Sequence, residues 1–304
     1  MLTTFISLDL LFLIPEIFLI FSIIIILIYS IFISTKYTLL NNKKYNTPII
    51  TTIITNLIIF TSFILIILYS QNLTNFQILF NGQFIISYYT QIGKIFIFGI
   101  TILCLLTFNS YLKNNQINNY EYLILILISI LSICLLLNTN DLLHYYIIIE
   151  LQSLCFYTIT ALKKNNIYSS EAGLKYFILG SIISGLLLLG IALLYGMTGL
   201  TNLKELSIFL LTTTSNKLII FSFILIYTSL LFKLTIAPFH IWAPDVYEGT
   251  PSIITLFFNS VPKFSLLLIF IKILNVVFFN FINIYTVITY LTIGNIIKTV
   301  NKVC

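Results

Sequence analysis

Long apolar runs recur along the whole chain and are separated by short polar stretches. Many of these runs approach or exceed the roughly 20 residues that a helix needs to cross the hydrocarbon core of a bilayer. The pattern predicts an all-α polytopic membrane protein with about nine spans. We place these spans near residues 10–34, 48–70, 92–111, 121–139, 141–162, 172–197, 217–236, 251–274 and 276–298. The polar segments Gln71 to Gln91 and Thr198 to Asn216 are predicted to be loops.

Composition supports the membrane prediction. Of 304 residues, 59% are hydrophobic and only 8% are charged, which is far less charge than a soluble domain carries. The first run is too long for the core of a signal peptide, and neither a basic region nor a small-residue cleavage site accompanies it. We therefore expect it to be a retained span in contact with the lipid bilayer.

Several kinds of site are absent from the sequence pattern. The four cysteines are widely scattered and show no metal-ligand or disulfide spacing. There is no glycine fingerprint for a dinucleotide, and no basic patch interleaved with aromatic residues for nucleic acid. We expect no metal, no cofactor and no nucleic-acid partner for this chain.

Lysines are concentrated in alternate loops. The odd-numbered connections contain Lys36, Lys43, Lys44, Lys113, Lys163 and Lys164. By the positive-inside rule these loops face the matrix or cytoplasm, and the N-terminus faces the opposite side. Lys204 and Lys217 weaken the pattern, although Glu205 offsets one of them.

The connection between the seventh and eighth spans, Ala237 to Pro251, contains three prolines and a glycine. Proline removes a backbone donor and does not continue an ordinary helix, so the helix that carries Lys233 should be interrupted close to that lysine. Non-helical backbone at membrane depth occurs where protein buries it or where it lines an aqueous cavity. The alternative is that Pro238 only ends the span and that Lys233 extends outward to the membrane surface.

Four ionisable side chains lie within or at the edge of apolar runs: Glu150, Lys175, Lys233 and Lys263. Because charge inside a membrane is unfavourable, such residues usually face a protein interior or a wet cavity and mark an ion pathway. Lys175 has a structural alternative, since Glu171 lies one helical turn before it and can pair with it on a helix surface. Glu150 is too deep in its span for its short side chain to reach the surface.

Other polar residues in these runs have less specific interpretations. His240 lies in the proline-rich segment, and its ordinary pKa near 6.5 suits a proton relay as well as a structural role. Glu16, Lys94 and Lys272 are expected to be interfacial or paired rather than catalytic. The small residues of the sixth span, Gly180 to Gly196, predict close helix packing.

Several motifs, in their order and spacing, resemble subunit 2 of respiratory complex I, the antiporter-like subunit family of NADH:ubiquinone oxidoreductase. They are Leu13 to Leu19, Glu150 to Leu154, Glu171 to Gly180, Leu231 to Lys233, Ala237 to Gly249 and Val261 to Lys263. The resemblance implies about fourteen helices, with two inverted five-helix repeats after three leading helices. It also implies that Glu150 pairs with a lysine and that Lys233, beside the broken helix, is the central proton carrier. Lys263 would pass the proton toward the second half-channel. The resemblance also implies that Lys175 and His240 belong to the same series of proton-transfer residues.

The chain contains only part of that architecture. We expect three leading helices in residues 1–120, the first five-helix unit in 121–275, and in 276–304 a ninth helix that begins a missing second repeat. The resemblance implies a proton-translocating, non-redox subunit in the mitochondrial inner membrane, with other membrane-arm subunits as partners. NADH, flavin, iron–sulfur clusters and ubiquinone would be bound elsewhere in the complex. A separate polypeptide would supply the missing repeat.

Three alternatives remain at this point. A shortened subunit could bridge its neighbours without pumping. A free-standing cation/proton antiporter would share the glutamate and lysine positions. A membrane scaffold would explain the hydrophobicity and the glycines, but it gives no reason for Glu150, Lys233 and Lys263.

Overall fold

The computed structural model describes residues 9, 10, 12–39, 47–71, 77–115, 121–161, 166–212 and 217–277. From Ile14 onward these residues form helices and one short β-hairpin. The helices are α1 Ile14–Leu39, α2 Thr47–Gln71, α3 Tyr88–Asn115, α4 Glu121–Asn138, α5 Leu142–Thr160, α6 Ile167–Thr198, α7 Leu203–Thr212, α8 Lys217–Lys233, α9 Trp242–Gly249 and α10 Ser252–Val277. The hairpin strands are β1 Gln77–Leu79 and β2 Phe84–Ile86.

Within the described part of the chain, six helices are long and apolar enough to cross a membrane. They lie in α1, α3, α4, α5, α6 and α10 and agree with six of the predicted spans. A shorter apolar stretch, Ile53–Ile67, lies in α2. The predicted seventh span is the 17-residue α8, which ends at Lys233. From residue 278 onward the predicted ninth span lies outside the described residues. The protein is therefore a helical, multi-pass membrane protein.

Two predicted helix starts were wrong because polar first turns reduce the hydropathy of a helix. Helix α3 begins at Tyr88, where Ser87 and Thr90 exchange backbone-to-hydroxyl hydrogen bonds. Helix α6 begins at Ile167, where the Asn166 side chain accepts from the Tyr168 amide at 3.2 Å. Such caps satisfy the amides that the first turn leaves without helical partners. The predicted loop Thr198 to Asn216 contains the amphipathic helix α7.

The predicted loop before α3 contains the hairpin, so the fold is not purely helical. Its strands are antiparallel, with Gln77 opposite Ile86 and Leu79 opposite Phe84. The Asn140 and Asn202 side-chain amides donate to the Gly82 carbonyl at 3.3 and 3.1 Å. Asn140 also donates to the Asn202 side-chain oxygen at 2.7 Å. These bonds join the hairpin to the α4–α5 and α6–α7 connections, at one end of the bundle.

Helix α4 lies in the centre of the bundle and contacts α1, α2, α3, α5 and α10. In the stretch of α4 that is long enough to cross a membrane, 78% of the residues are buried, compared with 33% for the corresponding stretch of α1. Its serines 129 and 132 donate to carbonyls three residues earlier in the same helix, at 2.7 Å each. Buried hydroxyls thus have acceptors even though no water is available in hydrocarbon.

Helix α6 packs along α8 and so fixes the helix that carries Lys233. At Gly190 an added Cβ would lie 2.9 Å from Ile226 Cγ1 and 3.0 Å from the Ser222 carbonyl. A glycine here lets the two backbones approach closely, as small residues commonly do between membrane helices. The predicted packing role of the sixth span is confirmed at this position. At Gly185 a Cβ would meet no described atom within 4 Å.

Candidate functional site

The α8 helix ends in a hydrogen-bonded motif beside Lys233. The Ile236 amide donates to the Leu231 carbonyl at 3.1 Å, and the Thr235 amide donates to the Phe232 carbonyl at 3.0 Å. Thr235 has φ 57°, so this pair of bonds is a Schellman motif with Thr235 at its left-handed position. Pro238 follows closely and does not continue a helix. The predicted interruption next to Lys233 is therefore confirmed.

A cavity lies beside this break, and the empty space in and in front of it is about 660 Å³, which includes the part that opens to its surroundings. Lys233 and Lys263 both line it, on α8 and α10 respectively. Its other lining residues come from α5, α6, α8, α9 and α10: Ile149, Gln152, Ser153, Phe156, Tyr157, Tyr176, Gly180, Phe232, Trp242, Val246, Tyr247, Phe258, Pro262 and Leu266. The cavity therefore brings together residues that are far apart in the sequence.

The Lys233 ammonium is shielded from solvent and has no hydrogen-bond partner among the described residues. Its stem is half-buried, and the Nζ atom faces inward rather than extending to the bundle surface. An ammonium in such a place loses its hydration without a full replacement. The interpretation that Lys233 reaches outward is therefore wrong for this structure.

Glu150 lies on α5, whose next turn contributes Gln152 and Ser153 to the lining of the cavity. Its carboxylate accepts a 3.3 Å hydrogen bond from the Ser153 hydroxyl, which also donates to the Glu150 carbonyl at 2.9 Å. Among the described residues Glu150 forms no ion pair. The direct pair between Glu150 and a lysine that the resemblance implies is therefore not found in this structure. The Ser153 hydroxyl is thus the hydrogen-bond partner that the structure shows for the Glu150 carboxylate.

Lys263 follows Pro262 inside α10. Its Nζ donates to the Thr235 hydroxyl at 2.7 Å and lies 5.4 Å from the centre of the Tyr247 ring. An aromatic face attracts a cation through its quadrupole. Lys263 therefore has two neighbours from the segment after the break, whereas Lys233 has none at hydrogen-bonding distance in the described structure.

Lys175 and His240 do not line the cavity. Lys175 is exposed and pairs with Glu171 at 2.9 Å and with Asp245 at 3.2 Å. The predicted structural alternative, an i,i+4 pair on α6, is therefore present, and Asp245 extends it to α9. His240 is exposed in the segment between α8 and α9. Proton-transfer roles for these two residues stay predictions.

Sequence reasoning missed the polar groups that surround the two lysines. Gln152 Nε2 and Trp242 Nε1 are buried cavity-lining donors without a hydrogen-bond partner among the described residues, as is Lys233 Nζ. Trp242 is stacked between Tyr176 and Phe232, with ring centres 5.2 and 5.4 Å away and interplanar angles of 9° and 15°. Several donors that face one cavity can together hold water. The single tryptophan of the chain, within the proline-rich segment, was the available signal.

A second buried charge site lies in the leading helices. The Lys94 ammonium of α3 pairs with the Glu16 carboxylate of α1, and both side chains are at most 2% exposed. Asn138, at the end of α4, donates to the same Glu16 oxygen at 3.2 Å. Nearby, Lys272 of α10 donates to the Thr139 carbonyl. The expectation that these residues are interfacial or paired is confirmed for Glu16 and Lys94 by their pairing, which lies within the bundle.

No group of three or more His, Cys, Asp or Glu side chains in the described ranges is arranged to hold a metal ion. The site consists instead of ammonium, carboxylate, hydroxyl and amide groups around a space beside a broken membrane helix. Such groups can bind and release protons or orient water, and broken helices beside charged residues recur in transporters. The fold and the site therefore define a helical membrane protein with ionisable side chains around a cavity beside a helix break.

A family model described as NADH:quinone oxidoreductase/Mrp antiporter, TM, matches residues 139–299. The chain belongs to this family. It is also 39% identical over 267 residues to NADH-ubiquinone oxidoreductase chain 2 of Marchantia polymorpha, an alignment that covers 85% of this chain and 53% of that protein. The resemblance to antiporter-like subunits is thus confirmed at the level of the family.

Two solved structures share the fold. A chain of the Mrp complex from Dietzia sp. DQ12-45-1b superposes with a TM-score of 0.71 at 15% identity, over 88% of this chain and 49% of that chain. A chain of respiratory complex I from Thermus thermophilus gives 0.63 at 22% identity, over 83% and 52%. Identities this low show the fold alone. The chain spans about half the length of the curated relatives it matches.

Proposed function

We propose that this chain is part of a proton-translocating membrane-arm subunit of respiratory complex I, NADH:ubiquinone oxidoreductase. The observation that carries the proposal is the cavity at the helix break, which Lys233 and Lys263 both line. An unpaired cation in an apolar bundle is unfavourable for stability, so its presence indicates a functional role. The 39% identity to a complex I chain 2 supports the choice of complex.

In the proposed mechanism Lys233 is the central proton carrier. Its ammonium lacks a hydrogen-bond partner among the described residues. In the proposal the Glu150 carboxylate, a charge of opposite sign, favours the charged form of Lys233 when it comes near. A change in the distance or charge of Glu150 therefore changes the proton affinity of Lys233. When that affinity falls, the proton leaves Lys233 Nζ and water in the cavity conducts it to a neutral Lys263 amine. Lys233 becomes a neutral amine, Lys263 becomes an ammonium ion, and one proton has moved.

Electron transfer would drive this change from elsewhere. NADH, flavin, iron–sulfur clusters and ubiquinone would be bound by other subunits, and this chain would contribute proton transfer without redox chemistry. Lys175 and His240 would act at the edge of the pathway, where they can exchange protons with the surroundings. The complex would lie in the mitochondrial inner membrane, with other membrane-arm subunits as its neighbours.

The chain spans 53% of the Marchantia polymorpha relative. In the proposal the first five-helix unit contributes the input and hand-over residues, and further helices of the complex contribute the rest of the pathway. Mass spectrometry of the intact complex should detect the sequence of those helices, whether in the same polypeptide or in another.

The direct test is Lys233→Met in the assembled complex, reconstituted into vesicles. We expect assembly and NADH oxidation to be retained, while the number of protons moved per electron falls. Lys217→Met is the matched control, because it makes the same chemical change at an exposed lysine at the start of the same helix, outside the cavity. Undiminished proton transfer in Lys233→Met would refute the proposed function.

A free-standing cation/proton antiporter is the second candidate, because the Mrp complex chain shares the fold. Native purification distinguishes the two candidates. The complex I proposal predicts that the chain copurifies with NADH-oxidising activity. Isolation of the chain in an assembly without that activity would favour the antiporter.

A further inference from the structure

Thr235 occupies a backbone position that ordinarily selects glycine. It is the left-handed residue of the Schellman motif that ends α8, with φ 57°. A β-branched residue with positive φ is a conformational outlier, and such outliers are concentrated at functional sites and switch regions. The position therefore calls for a specific contribution from the threonine side chain.

The contribution visible in the structure is a hydrogen bond to a proton carrier. The Lys263 Nζ donates to the Thr235 hydroxyl at 2.7 Å, across 28 residues of sequence. Thr235 follows Lys233 by two residues, so one turn of backbone supplies both the central lysine and the partner of the next lysine. The interruption of α8 is thus joined directly to α10 at Lys263.

A hydroxyl suits this place because it can both donate and accept hydrogen bonds. It accepts from Lys263 when the lysine is an ammonium ion, as in the observed bond. It can rotate and donate to the Nζ lone pair when the lysine is a neutral amine. A carboxylate would favour only the charged form.

We propose that Thr235 is a positioning residue that holds Lys263 in place through both states of proton transfer. This inference rests on the proposed function, in which Lys263 receives the proton that Lys233 releases. Without the hydroxyl, Lys263 is free to turn away from the cavity, and its ammonium loses a partner. Transfer from Lys233 then slows even though both lysines are still present.

Three substitutions separate the hydroxyl from the backbone. Thr235→Val keeps the branched shape and removes the hydroxyl, Thr235→Gly adopts positive φ without strain and also lacks it, and Thr235→Ser retains it. Protons moved per electron are measured for each in the reconstituted complex. We expect Val and Gly to lower proton transfer about tenfold, as for a lost hydrogen bond to a charged group. Serine should stay within about twofold of the original chain.

Each other outcome overturns the proposal. Full activity in both Val and Gly would show that the hydroxyl is dispensable. Full activity in Gly with a loss in Val would assign the effect to backbone strain, and a loss in serine equal to that in Val would assign it to the methyl group. Failure of all three to assemble would make Thr235 an assembly residue. Lys233→Met, measured alongside, separates these outcomes from failure of the proposed function, since undiminished transfer there refutes the function itself.

Discussion

Lys94 and Lys233 both have ammonium groups shielded from solvent inside the helical bundle, but their surroundings differ. Lys94 pairs with Glu16, and Asn138 donates to the same carboxylate. Lys233 has no hydrogen-bond partner in the described structure and lines a cavity shared with Lys263. A partner at contact distance stabilises the charged state, whereas an unpartnered site leaves the two protonation states closer in free energy. The first arrangement suits helix attachment and the second suits proton exchange.

The two sites also differ in what positions them. The Glu16–Lys94 pair connects α1 to α3, 78 residues apart in the sequence, with direct contacts. Lys233 is positioned by the end of α8, by the packing of α6 along α8, and by a stack of rings around Trp242. Its ammonium group is therefore surrounded by a cavity and its packed walls, and no partner atom in the described structure holds it. The following substitutions test this distinction.

The largest expected effect comes from making the same change at both lysines. Lys94→Met leaves the Glu16 carboxylate buried with only an amide donor, and breaking a buried pair in this way costs about 3–5 kcal/mol. Lys233→Met replaces an unpartnered cation with an apolar side chain of similar length and should leave stability unchanged or raise it. The amount of assembled complex and its thermal dissociation temperature measure both effects. Equal loss of stability in the two variants would contradict the comparison.

Removing both members of the pair should restore most of what Lys94→Met loses. In Glu16→Gln with Lys94→Met, no uncompensated charge stays in the bundle, so stability should return to within about 1–2 kcal/mol of the original chain. Proton transfer per electron should be normal in this double variant, since the pair is a structural attachment. A strong loss of proton transfer in a well-assembled double variant would instead place the pair on the pathway.

A smaller effect is expected from the packing that holds Lys233. Gly190→Ala places a methyl group against Ile226 and the Ser222 carbonyl of α8, and overpacking of this kind costs about 1–3 kcal/mol. Gly185→Ala is the control, because its methyl would meet no described atom within 4 Å. The difference in thermal dissociation temperature between the two variants checks the prediction. Similar stability in both would show that α6 and α8 can separate without loss.

The smallest effect is expected at Lys175, where two carboxylates and a cation lie exposed. Exposed pairs are screened by their surroundings and contribute little to stability. Asp245→Asn should therefore leave assembly and thermal dissociation almost unchanged. A marked loss would mean that another chain buries this pair in the assembled complex, which would make the contact between α6 and α9 comparable to the Glu16–Lys94 site.

The sequence predicted the parts of the site that depend on local chemistry. Pro238 indicated the break after Lys233, and the i,i+4 spacing of Glu171 and Lys175 indicated their pair. The sequence placed Glu150 deep within its span, and the structure shows it half-buried on α5, but its serine partner was not predicted. The caps at Ser87 and Asn166 were missed because hydropathy does not register polar first turns.

Thr235 shows most clearly what the sequence could not provide. Glycine is the residue expected at the left-handed position of a Schellman motif, so a threonine gave no sign of one. Its role follows only from the approach of Lys263 on α10, 28 residues later. The hairpin before α3 was likewise missed, because three-residue strands fastened by Asn140 and Asn202 leave no clear alternating pattern.

By itself the sequence determined that the chain is a multi-pass membrane protein, where most of its described helices lie, where one of them breaks, and which charges lie at depth. These features follow from hydropathy, proline geometry and spacing, which act over a few residues. The tertiary structure alone decided that Lys94 has a carboxylate partner, that Lys233 has none at contact distance among the described residues, and that Lys263 meets Thr235. Pairing depends on how each helix is rotated and packed against the others, and that rotation is set by contacts between residues far apart in the chain.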